Sequence, residues 1–150
     1  MIPMTAVTRK SLEVFVIELL GIMGLSEEDA DIFGRALIFS ELRFHPGHGQ
    51  GVKKLRRYQE RFRAGFIDLS ARCEVVKESP SLALVDAHNG IGTVAATKAM
   101  HLAIEKAKVC GIGQTVVRNS THFGSSAVHA CLAADAGCIG IALTNAGPEM

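Results

Sequence analysis

Tryptophan is absent from the 150 residues, and tyrosine occurs once. A nucleic-acid surface that works by stacking needs aromatic platforms beside its cations, so that function is poorly served. Charge of one sign is missing as well. The 16 Lys and Arg nearly cancel the 15 Asp and Glu, leaving +1, and no global field draws in polyanions or an anionic membrane. No apolar run approaches the roughly 20 residues of a membrane helix. The opening MIPMTAVTRKSLEVFVIELLGIMG is broken by Arg9, Lys10, Glu13 and Glu18 and has no A-x-A-like cleavage site. It reads as an amphipathic helix rather than a secretory signal. The four cysteines, Cys73, Cys110, Cys131 and Cys138, contain no C-x-x-C pair. They read as small buried thiols, and reduced thiols point to the cytoplasm. A G-x-G-x-x-G turn is also missing, and without it no ordinary dinucleotide fingerprint can be claimed.

What is present describes a folded chain. Hydrophobic residues make up 48%, too many for a disordered polymer, and 150 residues suffice for one real core. Leu12, Phe15, Val16, Leu19 and Leu20 predict a helix from about Thr8 to Met23, stopped by Gly24. Ser26, followed by Glu27, Glu28 and Asp29, caps a second helix running to about Leu42. The loop FHPGHGQG, Phe44 to Gly51, carries Pro46 and three glycines and cannot be helical throughout. A third helix, VKKLRRYQERFRAG, ends at Gly65.

The second half changes character. CEVVKESPSLALVDA predicts two strands joined at Ser79-Pro80. A long helix with an alanine face follows, from about Ile91 to Cys110. Then come a strand (Gln114 to Arg118), a loop, a helix (Ser125 to Ala136) and a strand (Cys138 to Thr144). The fold class is α/β of mixed α+β kind, with N-terminal helices over residues 1–70 and an α/β domain beginning over 71–150. Because the chain stops at TNAGPEM, directly after a strand, it reads as a fragment of a longer sheet.

Three places carry chemistry. His48, in Gly47-His48-Gly49, has neighbours without side chains, so an imidazole there can approach a substrate and move a proton near neutrality. An exposed turn histidine is the commoner meaning of the same residues. The basic run Lys53, Lys54, Arg56 and Arg57 is mostly a solvated face, though one inward cation would pair with a substrate carboxylate. The loop Arg118-Asn119-Ser120-Thr121-His122-Phe123-Gly124 joins a strand to a helix, where α/β sheets bind ligands and a helix N-terminus can hold a phosphate. A metal site built from His45, His48, His101, His122 and His129 is the competing meaning of the histidines, and their scatter argues against it. On residues alone, a two-histidine site can be argued but its cofactor cannot.

The string RNSTHFGSSAVHACLAADAGCIGIALTNAGPEM, together with SELR, VKKLRRYQERFRAGFI and LVDAHNGIG, resembles the second, non-Rossmann type of malate/L-lactate dehydrogenase. That family also holds ureidoglycolate, sulfolactate, diketogulonate and piperideine-2-carboxylate enzymes. Its members are more than twice this length, so the likeness, from about Thr8 to Met150, implies an N-terminal part. It also implies a homodimer that uses NAD or NADP to interconvert small 2-hydroxy and 2-oxo acids, with a site shared between domains or subunits. An inactive remnant or dimerisation module of such an enzyme is the alternative.

By motif, His48 looks like the proton donor, His122 like a second catalytic histidine and Lys54 like the carboxylate-binding cation. His122, Phe123, Gly124, Ser125 and Ser126, with Thr144, Asn145 and Ala146, fall on cofactor-contacting segments. The family's S-H-G-V-x-R-L is modified here, because Gln50 and Gly51 stand between His48-Gly49 and Val52. Alignment on Val52 would put Gln50 in the donor's place; alignment on SELR keeps His48 there, and a glycine-rich loop absorbs the insertion. Gly47 and Ala146 replace serines of the pattern. Neither the oxoacid nor the choice between NAD and NADP can be read from these residues.

Overall fold

The computed structural model describes residues 6–43 and 51–145. Helix α1 (Arg9–Ile22) begins where the Thr8 hydroxyl accepts the Ser11 N–H, and α2 (Glu27–Leu42) where Ser26 accepts the Asp29 N–H. Gly24, at φ +105°, makes the turn between them. The buried stripe of α1 runs through Val16 and Leu20; Phe15 falls beside it and is 56% exposed. A 3-10 turn, Val52–Lys54, opens α3 (Leu55–Arg63), which delivers Leu55 and Tyr58 to the core. Tyr58 meets Phe33 of α2 edge to face, ring centres 4.8 Å apart.

Strands β1 (Glu74–Glu78) and β2 (Leu82–Asp86) form an antiparallel hairpin closed at Ser79, whose N–H donates to the Leu82 carbonyl at 2.9 Å. From β2 the chain crosses through α4 (Gly92–Cys110) to β3 (Gln114–Arg118), parallel to β2 and paired from Leu82 with Gln114 to Asp86 with Arg118. The strand order is β1-β2-β3. The alanine face of α4 is explained at Gly113, where an added Cβ would run into the Ala103 carbonyl and the Ala107 nitrogen. Small residues let helix and strand close to backbone contact. Helix α5 (Ser126–Asp135) follows β3.

The main apolar cluster draws Val16, Leu20, Phe33, Leu37 and Ile38 from α1 and α2 together with Ile91 and Val94 at the start of α4. Each such side chain contributes about 1.5–3 kcal/mol on burial. Lys98 of α4 adds a polar tie, its Nζ 3.0 Å from Asp29 and 3.1 Å from Glu28 in the first turn of α2.

Two sequence expectations change. The stretch Cys138 to Thr144 is not a strand among the described residues: after Gly137 (φ +76°) the Cys138 N–H turns back to the Ala133 carbonyl, and Ile139, Ile141 and Leu143 are 96%, 74% and 87% exposed. A strand exists only through its partner, and no described segment pairs with it. The β-α-β unit is instead β2-α4-β3. Nor are the cysteines buried: Cys73 and Cys110 are exposed, and Cys131 and Cys138 half-buried, all with free thiols. Cys110 closes α4 at its solvent end and Cys73 lies in the coil before β1.

Candidate active site

Because β2 and β3 are parallel neighbours, their carboxyl ends lie together, and the loops 87–91 and 119–125 leave from the same end of the sheet. That is where α/β sheets bind ligands. The loops are stitched together by backbone bonds, Ala87 N–H to the Arg118 carbonyl at 3.0 Å and Asn89 N–H to the Asn119 carbonyl at 2.7 Å. Holding them costs backbone strain, since His88, Asn89 and Asn119 have φ of 46°, 62° and 49°. Asp86, only 4% exposed, offsets that cost. Its carboxylate accepts the His88 N–H, the Arg118 Nε and the Asn119 side-chain amide, each at 2.9 Å. The His88 N–H is the main reason its pKa lies below the ordinary carboxylate value; Arg118 and Asn119 add to this against the opposing effect of burial.

Thr121 fastens the second loop to α4. That helix has no local side-chain cap. Instead the Thr121 hydroxyl accepts the Gly92 N–H at 3.0 Å and donates to the Gly90 carbonyl at 2.9 Å, so the cap comes from 29 residues along the chain. Gly92 has to be glycine, because a Cβ there would strike the Thr121 and His122 carbonyls. The same close approach sets His122 at the mouth of the site.

His122 is exposed, and its Nδ1 accepts the Gly124 N–H at 3.0 Å. A ring nitrogen that accepts carries no proton, so in the neutral ring the proton sits on Nε2. Gly124 adopts φ +84°, with Thr93 Oγ1 3.0 Å from where a Cβ would stand. Next comes the start of α5, where Ser125 makes no side-chain cap and the first turn holds no acidic residue. The leading amides of this helix therefore point partial positive charge outward with no local competitor, the electrostatics that suit a phosphate.

Lys54, the last residue of the 3-10 turn before α3, is half-buried, and Arg57 of α3 is exposed. The entry to α3 is clamped by Glu41 of α2, whose carboxylate accepts the Val52 N–H at 2.8 Å while Gly51 packs against it. Between α3, the alanine face of α4, β3, α5 and the segment after α5 runs one broad open groove.

The sequence-nominated residues that are described are among the many that line this groove. Lys54, His122, Phe123, Gly124, Ser125, Ser126, Thr144 and Asn145 all line it. His48 and Ala146 lie outside the described residues, as do His45 and Gln50. Among the described residues no three His, Cys, Asp or Glu side chains gather as a metal cluster would require, and no helix is long and apolar enough to cross a membrane. Motif reasoning missed the supports, namely Asp86, Thr121 and His129. Asp86 and Thr121 sat inside the quoted motifs LVDAHNGIG and RNSTHFG, but what they hold is visible only in three dimensions.

With that geometry in hand, comparison with known proteins is direct. Residues 7–150 match the family model described as malate/L-lactate dehydrogenase. Malate dehydrogenase of Pyrococcus abyssi is 45% identical over 134 residues, 89% of this chain and 36% of the relative. L-sulfolactate dehydrogenase of Methanocaldococcus jannaschii is 37% identical over 135 residues, 90% of this chain and 39% of the relative. The solved structure of malate dehydrogenase from Pyrococcus horikoshii OT3 superposes with a TM-score of 0.83 at 37% identity, over 89% of this chain and 38% of that one. The chain thus spans well under half the length of the relatives it matches.

Proposed function

The chain belongs to the malate/L-lactate dehydrogenase family, and from that premise we propose that it forms part of an NAD- or NADP-dependent oxidoreductase that interconverts a small 2-hydroxy acid and its 2-oxo acid. One observation carries the reading. A single groove is lined by a basic side chain (Lys54), an imidazole held in one tautomer (His122) and an uncapped helix start at Ser125 and Ser126. These are the donor types that a carboxylate, a carbonyl oxygen and a cofactor phosphate require.

A bound nicotinamide would supply hydride chemistry at C2 of the acid. The residues of the chain do the rest. The amides at the start of α5 and the flanking Ser125, with Thr144 and Asn145, which line the same groove, would hold the cofactor. Lys54 orients the substrate carboxylate. His122, proton on Nε2, donates a hydrogen bond to the oxygen on which negative charge grows, and His48 as imidazolium gives that oxygen its proton. In this reading residues 1–70 bring the histidine loop and residues 71–150 begin the cofactor-binding domain, and the working assembly is a cytoplasmic homodimer.

A positioned general acid contributes on the order of 10² to 10⁴ in rate. His48→Ala in the active enzyme is therefore expected to lose that much in kcat while the affinity for NADH holds. Turnover near wild type would refute the assignment and leave Gln50 to be tested. Coverage of only 36–39% of the relatives favours a second reading, in which these residues alone are a catalytically silent module. Calorimetric titration of the 150 residues with NADH and NADPH separates the two, since a silent module shows no saturable heat.

A further inference from the structure

His129, near the start of α5, is 1% exposed and is held on three sides. Its Nε2 lies 2.9 Å from the Phe123 carbonyl oxygen. A carbonyl oxygen only accepts, so Nε2 carries the proton. In the neutral ring Nδ1 is then an acceptor, and the Thr97 hydroxyl of α4 donates to it at 3.5 Å. The ring also stacks on the Phe123 ring, centroids 5.1 Å apart and planes 27° from parallel. Burial lowers the His129 pKa below its ordinary 6.5, which keeps the ring in the neutral, single-donor form.

The Phe123 carbonyl and the Gly124 N–H are the two ends of one planar peptide group. His129 donates to the oxygen end at 2.9 Å, and the nitrogen end donates to His122 Nδ1 at 3.0 Å. A continuous path therefore runs from a buried imidazole, through one rigid amide, to the imidazole at the mouth of the groove. Pulling electron density toward the carbonyl oxygen strengthens the N–H as a donor, and hydrogen bonds in such chains reinforce each other by perhaps 10–30% in condensed-phase estimates. More directly, the amide plane cannot rotate without breaking the bond to His129. If it rotates, the N–H that fixes His122 swings away.

We propose that His129 is a positioning residue that sets the tautomer and orientation of His122 through the 123–124 peptide group. Its catalytic consequence rests on the function proposed above, but the positioning itself does not. A role in packing alone predicts that Phe, which keeps the ring and the stack, replaces His129 better than Gln. A role through the hydrogen bond predicts the reverse, because the Gln side-chain amide can present an N–H near the place of Nε2.

The experiment compares His129→Gln and His129→Phe in the full chain, with circular dichroism to establish folding and ring-nitrogen NMR of His122 beside the Gly124 amide signal. The expected result is that the Gln variant keeps the His122 pattern of unprotonated, accepting Nδ1 and protonated Nε2. The Phe variant, though folded, loses it to a mixture of tautomers and releases the Gly124 amide to faster exchange. In the active enzyme kcat falls on the order of 10²-fold for Phe, the cost of misplacing a reacting group by about 1 Å, with KM little changed. A folded Phe variant with the wild-type His122 pattern overturns the proposal, and so does a folded Gln variant that loses it as fully as Phe. The nitrogen signals need no turnover, so a chain that never oxidises a hydroxy acid counts against the functional reading and leaves this test standing.

Discussion

Thr121→Val isolates what the hydroxyl between α4 and the site loop contributes, because valine keeps the shape and removes only the polar atom. In the wild-type chain that oxygen serves two buried groups, accepting from the Gly92 N–H at 3.0 Å and donating to the Gly90 carbonyl at 2.9 Å. A typical net hydrogen bond contributes about 1 kcal/mol, and a buried group left unpaired costs about 1–3 kcal/mol. Two such groups give an expected loss of about 3 kcal/mol, above the roughly 1 kcal/mol of an ordinary helix cap because these ends are shielded from water. For a chain of this size each kcal/mol lowers the melting temperature by about 2–4 °C, so a fall of about 6–12 °C is expected. Thr121→Ser is the control: it keeps the oxygen and loses one methyl group, about 0.8 kcal/mol. Urea unfolding followed by far-ultraviolet circular dichroism measures both variants, and amide exchange at Gly92 reports the bond itself. Should the Val variant unfold within about 0.5 kcal/mol of wild type, or the Ser variant fall as far as Val, the long-range cap would not be what holds the loop.

Two further outcomes follow from the same region. Gly92→Ala drives a Cβ into the Thr121 and His122 carbonyls, so it is expected to cost about 1–3 kcal/mol and to weaken NADH binding, whereas Gly65→Ala, with nothing near its Cβ, leaves that affinity unchanged; equal affinities would detach the loop from the cofactor site. Stability is expected to fall with acid in two windows. His129 has a folded pKa below its ordinary 6.5, so the unfolded chain takes up its proton first, and stability declines as pH drops from about 6.5 toward the folded value. Asp86 has a folded pKa below its ordinary 3.8, so its contribution is complete above that value and is lost as pH falls through the depressed one. Urea midpoints against pH test both, with His129→Gln removing the upper slope and Asp86→Asn the lower; unchanged slopes in either variant would contradict the corresponding assignment.

The parts of this fold that local chemistry dictates were readable in advance. Ser26 announces a helix start because its hydroxyl caps the residue three ahead, and Gly24 and Gly65 mark stops at φ +105° and +70°. Strand β3 fell on Gln114–Arg118 as its apolar pattern requires. What failed was relational. Cys138 to Thr144 has the composition of a strand, but a ladder needs a second strand, and the described chain offers none. The candidate site shows the same division. Lys54 and the His122 loop were nominated by motif, and both are among the residues that line the broad groove. Asp86 and His129 could not be found that way, because an aspartate at the end of a strand and a histidine on a helix carry no label of burial. Their role depends on which backbone group the fold brings to each atom.

The Glu41 clamp has a consequence for how such an enzyme diversifies. One carboxylate, reaching the Val52 N–H, fastens the last turn of α2 to the first turn before α3, so the described chain on either side of residues 44–50 is tied together by the scaffold. Lengthening a closed loop is cheap, about 0.6 kcal/mol for each doubling. A lineage can therefore exchange residues 44–50 for a stretch of another length or polarity while both flanking helices keep their seats.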